Sequence, residues 1–311
     1  MSQETLHTEL VDELLKERKR DRFWRNVRFA GVFTIVMLSF ILNFYLRSTA
    51  DKEPDEDYAA VVRIEGMISP DSRTTSAARL NPALNRAFSD ERAKGVVLVI
   101  NSPGGTPVQA ALIHDRIKQL REEYEKPVVV VAEDMLTSGA YLIAMASDEI
   151  YVNRSTVVGS IGVIMQGFGF TGLMDTLGVE RRVFTAGESK NMLDPFMDLS
   201  EEEVSKTTRL LDDIHAHFID IVMDSRAEHL TGDHRDLFSG DYWTGKTAWQ
   251  LGLVDGQGDL AGVVEERFGV SQVKDYTPRQ SIFGTLSSAF SEVLSITLIR
   301  TVNELETPAL R

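Results

Sequence analysis

Two segments of this chain set glycine and serine together where an extended apolar run gives way to a helical one: Asn101-Ser102-Pro103-Gly104-Gly105 and Thr137-Ser138-Gly139-Ala140-Tyr141. Junctions of that kind present free backbone N–H groups at a helix N-terminus, where an anion or an oxyanion is stabilised. Two consecutive glycines also let the backbone come close to a substrate carbonyl. Each segment has a plain structural reading as well: Gly-Gly is a common turn, and a serine ahead of a helix is a common N-cap.

Chemistry at a serine needs a base. None of the six histidines has an obvious catalytic context. His114 falls inside an expected helix, and His215 with His217 stand two apart on another, too far round the helix to share a metal ion. No GxSxG elbow surrounds Ser138, which argues against an α/β-hydrolase. Ser271 and Lys274 make an S-x-x-K string, but on an expected final strand without companion motifs it reads as coincidence. Lys190 remains, in the small-residue loop Thr185-Ala186-Gly187-Glu188-Ser189-Lys190 that runs on to Asp194-Pro195. A free lysine, with a pKa of about 10.4, is no base near neutrality, whereas a desolvated one can be. The ordinary alternative is a solvated surface lysine.

These residues need a scaffold, and the surrounding pattern supplies an α/β one. Runs at 59–64, 95–100, 127–131 and 149–152 read as strands, and GVVLVI at 95–100 is continuous enough for a parallel sheet covered on both faces. Helical spacing covers 77–88, 107–124, with Pro107 at an early position, and 138–146. Val179–Thr185 reads as a strand leading into the Lys190 loop. Residues 200–229 read as a long amphipathic helix opened by Ser200 with Glu201, Glu202 and Glu203 in its first turn. A last helix and strand are expected to end near Tyr276.

A net charge of −14 leaves no basic surface for nucleic acid, and the absence of cysteine excludes disulfides and thiolate chemistry. The N-terminal region is basic up to Arg28, then uncharged from Phe29 to Leu46, 18 residues that just suffice to span a bilayer. The basic excess before it and the acidic stretch Asp51 to Asp57 after it place the N-terminus in the cytoplasm and the remainder outside. A cleaved signal peptide fits less well, because the basic region is long and Ser48-Thr49-Ala50 is a poor cleavage site. The expected organisation is a basic tail over 1–28, an anchor over 29–46, a charged linker over 47–57, one α/β domain over 58–277 and an amphipathic tail over 278–311.

Taken together, Gly95 to Gly105, Thr137 to Tyr141, Val158-Gly159-Ser160-Ile161-Gly162-Val163-Ile164, the Lys190 loop with Asp194-Pro195, and Gly252-Leu253-Val254-Asp255 resemble the signal peptide peptidase A family. The order and spacing of several motifs, across nearly all of 58–277, carry the resemblance. It implies a crotonase/ClpP-like fold with repeated ββα units and a serine peptidase with a Ser/Lys dyad. Matched residue by residue, it makes Ser138 the nucleophile, Lys190 the base, Ser160 the hydroxyl that orients the lysine, and the amides of Gly105 and Gly139 the oxyanion hole. No metal or organic cofactor is implied. The resemblance further implies a bacterial inner-membrane protein, a ring or dome of copies, and substrates that are remnant signal peptides or other short hydrophobic or misfolded segments. It leaves open whether Ser138 meets the Lys190 of its own chain. One departure is Ala140, where the family often has a second glycine; its methyl could narrow the substrate groove.

Two rival readings stand beside this one. An acyl-CoA hydratase or isomerase of the crotonase type has no use for a Ser138/Lys190 pair and would rarely meet its substrate outside the cytoplasm. A non-catalytic membrane scaffold or protease regulator on the same fold is favoured by Ala140 alone.

Overall fold

The computed structural model describes residues 3–50, 54, 56–72 and 75–278, without side-chain detail for 3–15 and 43–50. The chain divides into two compact units, Met1–Glu53 and Pro54–Arg311. In the first, the described residues form one helix, α1 (Gln3–Ala50). Among the described residues Arg18–Leu42 is the one helical stretch long and apolar enough to cross a membrane. It overlaps the expected anchor over 29–42, and along it Phe29, Val32, Phe33, Ile35 and Leu38 are exposed. Most of the expected amphipathic tail, from residue 279 on, lies outside the described residues.

The second unit runs β1 (Tyr58–Glu65), α2 (Ala77–Ser89), β2 (Ala93–Ser102), α3 (Pro107–Tyr124), β3 (Val128–Thr137), α4 (Gly139–Ala144), β4 (Glu149–Val152) and β5 (Val157–Gly159). It continues with α5 (Thr171–Leu177), α6 (Glu201–Arg226), α7 (His234–Leu237), β6 (Tyr242–Thr244), α8 (Gly245–Gln250), β7 (Gly256–Gln257), α9 (Leu260–Phe268) and β8 (Val273–Asp275). The expected α/β class is what forms. The sheet is ordered β6-β5-β3-β2-β1-β8, with β4 joining β3 to β7, and every pairing except β5 with β6 is parallel.

The continuous apolar runs are explained by burial on both faces. Val96, Leu98 and Ile100 of β2 point into the larger core with Leu84, Ile113 and Ile117 of α2 and α3, whereas Val97 and Val99 meet Val263 and Val264 of α9. Each such side chain withdrawn from water contributes roughly 1.5–3 kcal/mol. Strand β3 then divides its outer edge. Its first half, Val129 to Ala132, pairs with β4; its second half, Met135 to Thr137, pairs with β5. That second half leads directly into Ser138.

Strand β8 closes the other edge against β1, and its end is clasped by Asp90, whose carboxylate accepts from Tyr58 at 2.6 Å, from Tyr276, and from Lys274 at 3.3 Å. Lys274 is thus held by a structural clasp, which agrees with reading its S-x-x-K string as coincidence.

One expected element is corrected. Val179–Thr185 is not a strand: no described strand pairs with it, and Val179, Val183 and Phe184 are exposed. An extended segment needs a ladder partner for its backbone and a face to bury, and among the described residues this one has neither. The helix that follows forms as expected, with the Ser200 side chain accepting from the Glu203 amide and the Glu203 carboxylate accepting from the Ser200 amide. Its buried side chains, Phe218, Val222 and Arg226, all lie in its C-terminal part.

Candidate active site

Ser138 occupies the first position after β3 and precedes α4, with φ 53° and ψ −128°. A positive φ is costly for any residue with a Cβ and persists only where neighbours enforce it. Here the Ser138 amide donates to Gly159 O of β5 at 2.8 Å, and its carbonyl accepts from Leu142 of α4 at 3.0 Å. The side chain does not cap the helix it precedes. The ordinary reading of a serine in this place, an N-cap, therefore fails, and the half-buried hydroxyl is left for other use.

The Gly104-Gly105 turn is pressed against this serine. Gly104 has φ +96°, and a Cβ built on it would lie 2.7 Å from the Ser138 Cβ and 2.8 Å from the Gly139 nitrogen. A Cβ on Gly105 would lie 1.8 Å from the Ile68 carbonyl oxygen. The turn is fixed from behind: Ile68 donates to Gly104 O and Thr106 donates to Ile68 O, both at 2.9 Å. Fully buried Ser102 donates its hydroxyl to Gly66 O at 2.6 Å and accepts from the Gly104 amide at 3.1 Å. Gly105 and Gly139 come together in consequence, the Gly105 nitrogen lying 3.4 Å from where a Gly139 Cβ would be. Neither of their amides has a backbone acceptor among the described residues.

Thr137 pairs with Gly159, so Ser138 and Ser160 are the next residues out along β3 and β5, although Ser160 is not among the residues that line the pocket at Ser138. Ser160 likewise has a positive φ, 53°, and its amide donates to Asp241 O at 2.6 Å. A cleft of about 110 Å³ opens at Ser138, walled by Ala111, Leu142, Ile164, Ile214, His217 and Phe218. Ala140 is fully buried in the core and does not line this cleft, so its methyl does not narrow it.

Lys190 is not brought to Ser138. It lies exposed in a turn, its amide donating to Gly187 O at 3.2 Å, and it does not line the cleft. The loop around it keeps its shape by polar contacts. Asp194 accepts from the Phe196 amide at 3.0 Å and from Arg181 at 2.6 Å, and these partners hold its carboxyl below the usual carboxylate range. Lys206 of α6 donates to Ser189 at 3.2 Å.

Two features escaped the sequence reading. The Ile68 segment that braces the glycine turn has no motif of its own. His217 was set aside for its spacing from His215, and that spacing does separate them: His215 donates to Ile161 O at 3.1 Å while His217 lines the cleft.

With this geometry in hand, comparison with known proteins is informative. Peptidase family S49 matches residues 121–273, a span that includes Ser138, Ser160 and Lys190. A candidate protease of Synechocystis sp. is 30% identical over 204 residues, covering 62% of this chain and 72% of that protein. The chain belongs to peptidase family S49. The S49 assignment agrees with the resemblance carried by the motifs. A Brucella melitensis protein described as a Na(+)/H(+) antiporter NhaA is 45% identical over 229 residues, 72% of this S49 chain. The chain spans only 31% of that relative's length. Among solved structures, a ClpP1 from Listeria monocytogenes overlays with a TM-score of 0.42 at 14% identity, covering 66% of this chain and 94% of that one.

Proposed function

We propose that this S49 member is a membrane-anchored serine endopeptidase with Ser138 as nucleophile and Lys190 as general base. The observation that carries the reading is Ser138 itself: a strained residue whose hydroxyl caps nothing, set beside the amides of Gly105 and Gly139 by a turn only glycine can make. That arrangement suits attack on a carbonyl. Neutral Lys190 takes the proton of the Ser138 hydroxyl as the oxygen adds to the peptide carbon, and the two amides bind the oxyanion. Protonated Lys190 returns that proton to the leaving amine, and a water activated by the same amine releases the acyl group from Ser138.

For Lys190 to act, the segment that carries it has to be covered. Residues 163–199 expose Ile164, Phe168, Leu173, Leu177 and Phe184. Assembly of copies into a ring or dome buries this segment and delivers Lys190, of the same or a neighbouring copy, to Ser138, where the Ser160 hydroxyl orients its amine. Burial also supplies the desolvation that a lysine base requires. Residues 29–46 hold the enzyme in a bacterial inner membrane with the basic N-terminus in the cytoplasm, a reading supported by the charge asymmetry around that stretch. The substrates are then remnant signal peptides and other short or misfolded hydrophobic segments.

Labelling of the full-length, detergent-solubilised protein with a fluorophosphonate tests the assignment. The probe should attach to Ser138, and Ser138→Ala should abolish labelling and lower peptide cleavage by about four orders of magnitude or more. A folded wild-type assembly that takes no label at any pH would instead support the non-catalytic scaffold.

A further inference from the structure

Among the described residues that line the cleft at Ser138 one side chain is titratable, and it is not one the dyad uses. Ala111 of α3, Leu142 of α4 and Ile214 and Phe218 of α6 make apolar walls, and His217 stands among them. The backbone that bears His217 is rigid. Phe218, the next residue, is buried, as is Val222 one turn later. Arg226 anchors the end of α6, donating to Asp255 at 2.7 Å and to Gly252 O at 2.9 Å. On the other side of the helix His215 ties α6 to the Ile161 carbonyl, fixing the wall that Val163 and Ile164 contribute. The imidazole of His217 is exposed, so it is open to whatever fills the cleft.

The charged surroundings of His217 can be listed element by element. On α6 itself Asp213 and Asp220 stand one turn before and one turn after it. Helix α3 brings His114, Asp115 and Lys118. Helix α4 and residues 160–165 bring no charge. His114 is buried and bonded to Asp115 at 2.9 Å; burial chiefly, with smaller contributions from Lys118 and His217, pushes it down toward the neutral form. Of these groups only His217 lines the cleft.

A substrate carboxylate entering an apolar cleft without a partner is strongly disfavoured, and one facing an imidazolium gains a charge-assisted hydrogen bond. An ammonium in the same place meets a like charge. We infer that His217 is a specificity-determining residue: protonated, it admits a peptide whose side chain beside the scissile bond is glutamate and turns away one carrying lysine. The apolar walls hold the methylenes and His217 holds the tip. The inference rests on the peptidase reading above, with an aliphatic side chain as the default occupant and glutamate as the alternative that acidity selects.

The test uses the full-length protein in detergent and three peptides identical except for leucine, glutamate or lysine before the scissile bond. Histidine gains its proton between pH 8 and 5.5, while a peptide glutamate stays ionised over most of that range. In the wild type, kcat/KM for the glutamate peptide relative to the leucine peptide should rise about tenfold from pH 8 to 5.5, through KM, and the lysine ratio should fall comparably. In His217→Gln both ratios should be flat with pH to within about twofold, and in His217→Glu the preference should reverse toward lysine. Taking ratios removes any pH dependence of the dyad. If the ratios of His217→Gln follow the wild-type curve, or His217→Glu fails to favour lysine, the inference is wrong although the peptidase stands. If no peptide is cleaved and Ser138 takes no fluorophosphonate, the peptidase reading itself has failed and this inference goes with it.

Discussion

Around Ser138 the chain is held by parallel strands, fully buried aliphatic side chains and a glycine turn hydrogen-bonded to Ile68. Around Lys190, residues 163–199 contain one short helix with no buried residue, and their contacts include the half-exposed ion pair of Arg181 with Asp194, the ring contact of Phe170 with Phe196 and a bond from Lys206 to Ser189. The first region is packed by buried side chains of its own chain. The second leaves Ile164, Phe168 and Phe184 exposed among the described residues. Under the proposed mechanism, a site split in this way would keep its nucleophile poised at all times and make its base conditional on assembly.

That contrast is open to attack by substitution, beginning with the largest expected effect. Gly105→Ala drives a methyl into the Ile68 carbonyl, and both stability and activity should suffer. We expect a fall of at least about a hundredfold in kcat, the scale of losing one oxyanion donor, together with a clear drop in Tm. Unchanged kinetics would remove the Gly105 amide from the site. Arg226→Ala leaves Asp255 without its buried partner, which should cost about 3–5 kcal/mol in denaturant unfolding. It should also loosen the part of α6 that walls the cleft.

On the other side, Arg181→Ala removes a half-exposed brace. It should shift stability by no more than about 1 kcal/mol while lowering cleavage about tenfold, because a loosened loop presents Lys190 in more orientations. A large stability loss here would mean that the Lys190 region is as firmly built as the Ser138 region, and the contrast would fail.

The smallest effect concerns the clasp at the sheet edge. Burial pushes the Asp90 carboxyl up, but hydrogen bonds from Tyr276, Tyr58, the Arg92 amide and Lys274 outweigh it and hold Asp90 well below the ordinary range. A carboxylate so depressed stabilises the fold above its unfolded pKa, near 4, and the contribution is lost as pH falls toward the folded value. The Tm difference between wild type and Asp90→Asn should thus be constant from pH 8 to 5 and shrink below about pH 4. A difference that did not change with pH would assign the clasp to packing alone.

The same division governs what could be read from the residues. Strands whose apolar runs are buried on both faces, such as 95–100, declare themselves through composition, and so does the Ser200 cap with Glu203. Ser138 and the two glycine junctions stand out only through the order and spacing of several motifs, because each alone reads equally well as a turn or an N-cap. Val179–Thr185 misled because its apolar spacing comes without a described strand to pair with or a face to bury. The nearness of Gly104 to Ser138, and of His217 to the cleft, comes from crossings between elements distant in sequence, which local pattern does not encode.

The most direct test of the split site is the rate of Ser138 modification by a fluorophosphonate in the full-length assembly, measured for wild type and Lys190→Ala alongside their Tm values. The account predicts labelling of Ser138 slowed by about a hundredfold or more in Lys190→Ala, in an assembly that still unfolds cooperatively. Labelling of Lys190→Ala at the wild-type rate would contradict it and remove Lys190 from the chemistry.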